Sequence, residues 1–214
     1  MVRSGLVVIA MCAGCATTSS FAPAAADSEW SEWPLPTEAP PPPVASESRL
    51  AAKARSLVGL STLKVVAPGL PDDCTGLVRA VYDDAGISLL EFGQRGDNGV
   101  TAMYRFAFER SALHTSRPAP GDLVFFRETY DRNRDGLEND GLTHVGVVEA
   151  VDDEGTVTFV HRSGKGVTRA RLNVGSPLDR RLNDYLRPRK KKSPALLTGE
   201  LFVTYASATR LGAR

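Results

Sequence analysis

Three residues of this 214-residue chain have the types and spacing to carry out acyl transfer: Cys74, His144 and His161. Cys74 opens the run Cys74-Thr-Gly-Leu-Val-Arg-Ala-Val-Tyr-Asp-Asp-Ala-Gly86. Its apolar residues Leu77, Val78, Val81, Tyr82 and Ala85 recur at helical spacing, which predicts a helix that stops at Gly86. A cysteine at a helix start faces unpaired backbone N–H groups and the positive end of the helix dipole. Such surroundings can lower a thiol from about 8.5 to between about 3.5 and 7.5, and the same N–H groups can hold an oxyanion. A cysteine nucleophile also needs a base, and the base needs a partner to orient it. Of the three histidines, His144 opens one predicted strand and His161 closes the next, across the turn Asp152-Asp-Glu-Gly155. In an antiparallel pair those two ends are neighbours. His114 falls in a polar stretch with no special role.

The elements that must position these residues are legible from periodicity. Ser48 to Val58 places Leu50, Ala54, Leu57 and Val58 on one helical face, with Ser48 as a cap and Gly59 as a stop. Pro118-Ala-Pro-Gly-Asp122 is turn chemistry, and Leu123-Val-Phe-Phe126 reads as a buried strand. Strands follow at Thr143–Val151, Thr156–His161 and Val167–Leu172, the last at a sheet edge. Helices first and a meander afterwards predict an α+β fold.

Composition limits the function classes. The chain is 42% hydrophobic, 24% charged and nearly neutral at +1, the balance of a globular protein and not of a nucleic-acid binder. Three cysteines are too few for a disulfide scaffold. The start, Met-Val-Arg-Ser followed by Gly5-Leu-Val-Val-Ile-Ala-Met11, has the parts of a secretory signal. Ala13-Gly14-Cys15 after it resembles the lipobox of bacterial lipoproteins, in which the signal is cut before a cysteine that then carries lipid. Residues 1–14 are accordingly expected to be a signal peptide and Cys15 the lipidated residue. Ala16 in place of an acid resembles the outer-membrane members, which places the protein in the bacterial envelope at that membrane's periplasmic face. Residues 15–47 hold seven of the 14 prolines and only acidic charges, and read as a semi-rigid spacer. The folded body is expected over 48–188, and 189–214, which opens on Arg189-Lys-Lys-Lys192, as a basic tail.

Four motifs in order give the body a resemblance. Asp73-Cys74-Thr75-Gly76-Leu77-Val78 looks like the nucleophile helix of the NlpC-type cell-wall peptidases. Pro120-Gly-Asp-Leu-Val-Phe-Phe126 and Thr143-His144-Val-Gly-Val-Val148 resemble its strand-entry and histidine motifs, and His161 falls where its third catalytic residue is expected. The resemblance implies a papain-like α+β fold, with N-terminal helices on an antiparallel meander. It also implies hydrolysis of amide bonds in peptidoglycan stem peptides or cross-links, through a thioester. Cys74 would attack, His144 act as base and His161 orient it, with Asp73 and Thr75 as substrate contacts and no cofactor required. The alternatives are an N-acetylmuramoyl-L-alanine amidase, or a silent peptidoglycan-binding lipoprotein. Peptidoglycan is the expected partner, with the membrane reached through the lipid, no nucleic acid, and a protein activator left open.

Two departures stand out. Members that cut next to a free-amine stem residue commonly carry a tyrosine before the cysteine, yet Leu63–Pro71 has no aromatic residue. A loop, Asp131-Arg-Asn-Arg-Asp-Gly136, has the D-x-N-x-D-G spacing of a Ca²⁺ loop, with Asp131, Asn133 and Asp135 as ligands of a structural ion. Its twelfth position is Leu142 in place of a bidentate Glu, with Asn139 and Asp140 available to compensate.

Overall fold

The structure, a computed structural model, describes residues 48–189 and 194–213. The expected signal peptide, the Cys15 lipidation site and the spacer up to residue 47 lie outside the described residues. Among the described residues no helix is long and apolar enough to cross a membrane.

Two helices precede the sheet as expected. Helix α1 spans Arg49–Ser56 and helix α2 spans Cys74–Tyr82. Ser48 precedes α1 without a side-chain cap bond, whereas Asp73 caps α2 through its carboxylate. After one further 3-10 turn, Gly86 stops the second helix in the left-handed region at φ +75°. A third helix, α3 over Gly99–Glu109, was not expected. Its signals are present in the sequence: Asn98 accepts from Thr101 N–H as an N-cap, and Val100, Met103, Phe106 and Ala107 form the buried stripe.

The strands are β1 (Leu113–His114), β2 (Leu123–Arg127), β3 (Leu142–Val151), β4 (Val157–Ser163) and β5 (Gly166–Leu172). A second, two-stranded sheet pairs β6 (Tyr185–Arg187) with β7 (Leu196–Leu197), and the chain ends through α4 (Thr198–Leu201), β8 (Phe202–Ala206) and α5 (Ala208–Leu211). The main sheet runs β1-β8-β2-β3-β4-β5, with every described pairing antiparallel. This is the α+β fold, and β5 lies at the edge as its alternating pattern predicts.

The chain's end corrects one expectation. Residues 196–211 are no tail: β8 inserts between β1 and β2, and Leu201, Tyr205, Ala206 and Leu211 are buried. The apolar run Leu196–Val203 was hidden by the basic residues before it. Arg187, two residues before that basic run, is buried and holds Glu138 at 2.7 Å.

Both faces of the sheet are covered. Leu123, Phe125, Val145, Val147 and Val160 join α1, α2 and α3 in one core, while Val124, Phe126, Val148, Phe159 and Tyr205 form the other. Strand alternation alone produces this division. Buried Tyr82 of α2 donates its hydroxyl to the Gly121 carbonyl at 2.6 Å, tying the nucleophile helix to the turn before β2. Gly76 is the one place on α2 where a side chain has no room, since a Cβ would sit 1.7 Å from the Pro71 carbonyl oxygen.

Candidate active site

Cys74 is the first residue of α2, and it opens onto a cleft of about 580 Å³ lined by His144, His161, Tyr130, Asn98 and Arg162 among others. The two histidines come from adjacent strands. Register pairs Phe126 with His144 and Val147 with Val160, so the start of β3 and the end of β4 meet at one edge of the cleft. Their rings stand in T-shaped contact, and His144 Nε2 lies 2.9 Å from His161 Nδ1. Phe126 and Phe159 pack beside the imidazoles at centroid distances of 6.2 and 5.3 Å and limit their rotation.

The histidines are 9% and 6% exposed, and burial dominates their protonation. Burial and the neighbouring imidazole push His144 down to about 3. Burial pushes His161 down to about 4, opposed by the Asp184 carboxylate. Burial, reinforced by the Asp73 charge, pushes the Cys74 thiol up to about 12, and the amides of Val145, Thr75 and Cys74 itself only partly offset this.

That direction reverses the expectation of a depressed thiol, and Asp73 is part of the reason. Its Oδ1 accepts from the Thr75 and Gly76 amides at 2.9 and 3.0 Å and from the Thr75 hydroxyl at 2.7 Å. The helix start is therefore already neutralised by a carboxylate next to the sulfur. Both shifts favour the neutral forms of Cys74 and His144. Both Asp73 and Thr75 line the cleft, but the Thr75 hydroxyl is spent on Asp73, and the second Asp73 oxygen is the polar atom of this pair left for a ligand.

Three supports escaped the sequence reading. Asp72 receives a bidentate pair from Arg162 at 3.0 and 3.1 Å, the Leu63 amide and the Thr62 hydroxyl, each at 2.9 Å. It locks the residue after His161 to the segment before Cys74. Asn98 donates from Nδ2 to the Leu142 carbonyl at 3.0 Å, joining α3 to the start of the histidine strand. Tyr130, from the segment after β2, enters the same cleft and gives it an aromatic residue that Leu63–Pro71 lacks. The contacts of Asp72 and Asn98 span elements far apart in the chain, so local sequence does not encode them.

Residues 66–163 match the CHAP domain. CHAP is a peptidoglycan-hydrolase cysteine peptidase or amidase domain, papain-like and related to the NlpC type that the motifs resemble. The CHAP match contains Cys74, His144 and His161 and stops at the end of β4, with β5 to α5 beyond it. A CHAP domain implies peptidoglycan as the substrate class and amidase or peptidase hydrolysis as the reaction class. No curated protein matches the chain.

The Asp131–Asp140 loop is closed by hydrogen bonds among its own residues. Asp131 Oδ2 accepts from the Gly136 amide, Asn133 Oδ1 from the Asp135 amide, and Asp135 Oδ2 from the Asn133 and Asn139 side chains. Asp131 Oδ1 is buried without a partner, yet among the described residues no three His, Cys, Asp or Glu groups come together as metal ligands.

Proposed function

We propose that this chain is a cysteine-type peptidoglycan endopeptidase in which Cys74, His144 and His161 act in series. The observation that carries the reading is the 2.9 Å contact from His144 Nε2 to His161 Nδ1. With Nε2 engaged there, the ring nitrogen that remains for the thiol is Nδ1. If His144 donates from Nε2, its Nδ1 carries the lone pair a base needs. His161 then accepts at Nδ1 and bears its own proton on Nε2.

The reaction follows from that tautomer. Substrate binds with its carbonyl over the thiol, and the Cys74 proton passes to His144 Nδ1 as sulfur attacks. The imidazolium formed is held by its Nε2–H bond to His161, which substitutes for a charged partner. His144 then protonates the leaving amine, and a water activated by the same nitrogen releases the acyl group from sulfur. General-base attack, rather than a standing thiolate, suits a buried neutral pair.

Cleavage within the stem peptide or its cross-links is preferred to cleavage at the lactyl group. The support is the Asp73 carboxylate at the cleft wall, which can meet the ammonium group of a stem residue. Incubating the full chain and its Cys74→Ala variant with purified peptidoglycan, then weighing the soluble products, separates the readings. New amino termini inside the stem support the endopeptidase. Whole stem peptides released from glycan support the amidase, and no products in either sample would remove the enzyme reading. We also propose that the chain is held at the outer membrane through lipid on Cys15. Loss of membrane association in a Cys15→Ser variant tests this.

A further inference from the structure

The tetrahedral intermediate needs hydrogen-bond donors, and α2 supplies fewer than its position promises. Thr75 and Gly76 N–H are committed to the Asp73 carboxylate, and Leu77 N–H to the Asp73 carbonyl. The Cys74 amide is what remains at the helix start. Oxyanion sites ordinarily combine at least two donors, so a second must come from the cleft wall.

Most wall hydroxyls are committed elsewhere. Thr129 and Thr143 bond each other at 2.9 Å, Ser163 donates to the Gly166 carbonyl, and Thr75 to Asp73. Arg162 is held by Asp72. Among the described residues of the wall, Tyr130 carries the one hydroxyl without a partner, and its side chain is 46% exposed to the cleft and solvent. Partial burial and the charges of Cys74 and Asp73 push its phenol upward, so it keeps its proton and lies within the electrostatic reach of both residues.

We propose that the Tyr130 hydroxyl and the Cys74 amide together hold the oxyanion formed when Cys74 attacks the scissile carbonyl. The proposal rests on Cys74 being the nucleophile. As the sulfur–carbon bond forms, the carbonyl π pair moves to oxygen and the thiol proton goes to His144. Tyr130 donates a hydrogen bond to that oxygen and keeps its proton throughout. Collapse re-forms the carbonyl and expels the amine, which takes the proton from His144.

Tyr130→Phe keeps the ring and removes the donor; Tyr130→Ala removes both. In the full chain acting on soluble peptidoglycan fragments, Tyr130→Phe should lower kcat about 100-fold, the scale of one lost oxyanion donor, with KM nearly unchanged. Alkylation of Cys74 by iodoacetamide, which forms no oxyanion, should proceed at the parent rate. Unchanged kcat in Tyr130→Phe, or a loss matched by slower alkylation, overturns the proposal. A second probe keeps the test independent of the natural substrate: N-acetyl-alaninal adds to a thiol as a tetrahedral hemithioacetal. Tyr130→Phe should bind it about 10-fold more weakly, in line with one hydrogen bond to the tetrahedral oxygen. Equal binding overturns the proposal, whether or not peptidoglycan is cleaved.

Discussion

His161 Nδ1 lies 2.9 Å from His144 Nε2, which leaves Nδ1 of the His144 ring outside that contact. The contact joins two strands whose hairpin turn is at the far end, so its geometry is set by sheet register and not by local sequence. A shift of one strand by one residue would turn its imidazole to the opposite face and break the contact.

On the proposed reading His161 is a positioning residue. His161→Ala should lower kcat by about 100-fold to 10,000-fold, the range seen when a base is left in the wrong tautomer. His161→Asn keeps a side-chain acceptor and should retain more activity than His161→Ala. Steady-state kinetics of both variants check this; equal losses would mean that the ring fills space only.

The neutral thiol leaves a signature in pH. Because burial and Asp73 push Cys74 up to about 12, and His144 is pushed down to about 3, no thiolate–imidazolium pair stands at neutral pH. The alkylation rate of Cys74 should keep climbing above pH 8. A rate already level by pH 6 would show a preformed ion pair and overturn the general-base step.

Acid should weaken the fold through two carboxylates. Hydrogen bonds from Arg162 hold Asp72 well below the ordinary carboxylate range, and Arg169 followed by Arg55 does the same for Glu149. A group depressed in the folded state stabilises it fully above the unfolded pKa, near 4, and loses that contribution as pH falls further. Melting temperature should begin to fall near pH 6.5, where the buried His144 and His161 stay neutral in the fold but protonate in the unfolded chain. It should then drop below pH 4 through these two carboxylates. Asp72→Asn should flatten part of that drop, and an unchanged acid limb would contradict the assignment.

How much of this was readable beforehand depended on the range of the contacts. Cys74 at a helix start, the histidines at facing strand ends and the four-strand meander follow from local periodicity, and the structure contains them. Helix α3 was missed although Asn98 and its buried stripe announce it, because Gly99 and the loop-like residues before it masked the start. The commitment of Asp73 to its own helix, which reversed the expected thiol shift, is set by side-chain geometry that residue type does not encode. Asp72–Arg162 and Tyr130 are contacts across the fold. The chain's end misled for a simpler reason: a basic run beside a short apolar one looks like a solvated tail, and only pairing reveals a central strand.

The insertion of β8 between β1 and β2 gives a direct test of that correction. Deleting residues 196–214 exposes the edges of both neighbouring strands and uncovers Phe126 and Val124. The truncated chain should lose its cooperative thermal transition, followed by circular dichroism. A retained transition near the parent temperature would show the segment to be dispensable.

The central claim is that the Cys74 sulfur carries the acyl group. Reacting the full chain with soluble peptidoglycan fragments, quenching in acid and weighing the peptide that contains Cys74 tests it most directly. The account predicts a stem-peptide acyl adduct on Cys74, absent from Cys74→Ala, which should also release no products. Cleavage that persists in Cys74→Ala, with no adduct on the parent protein, would contradict it.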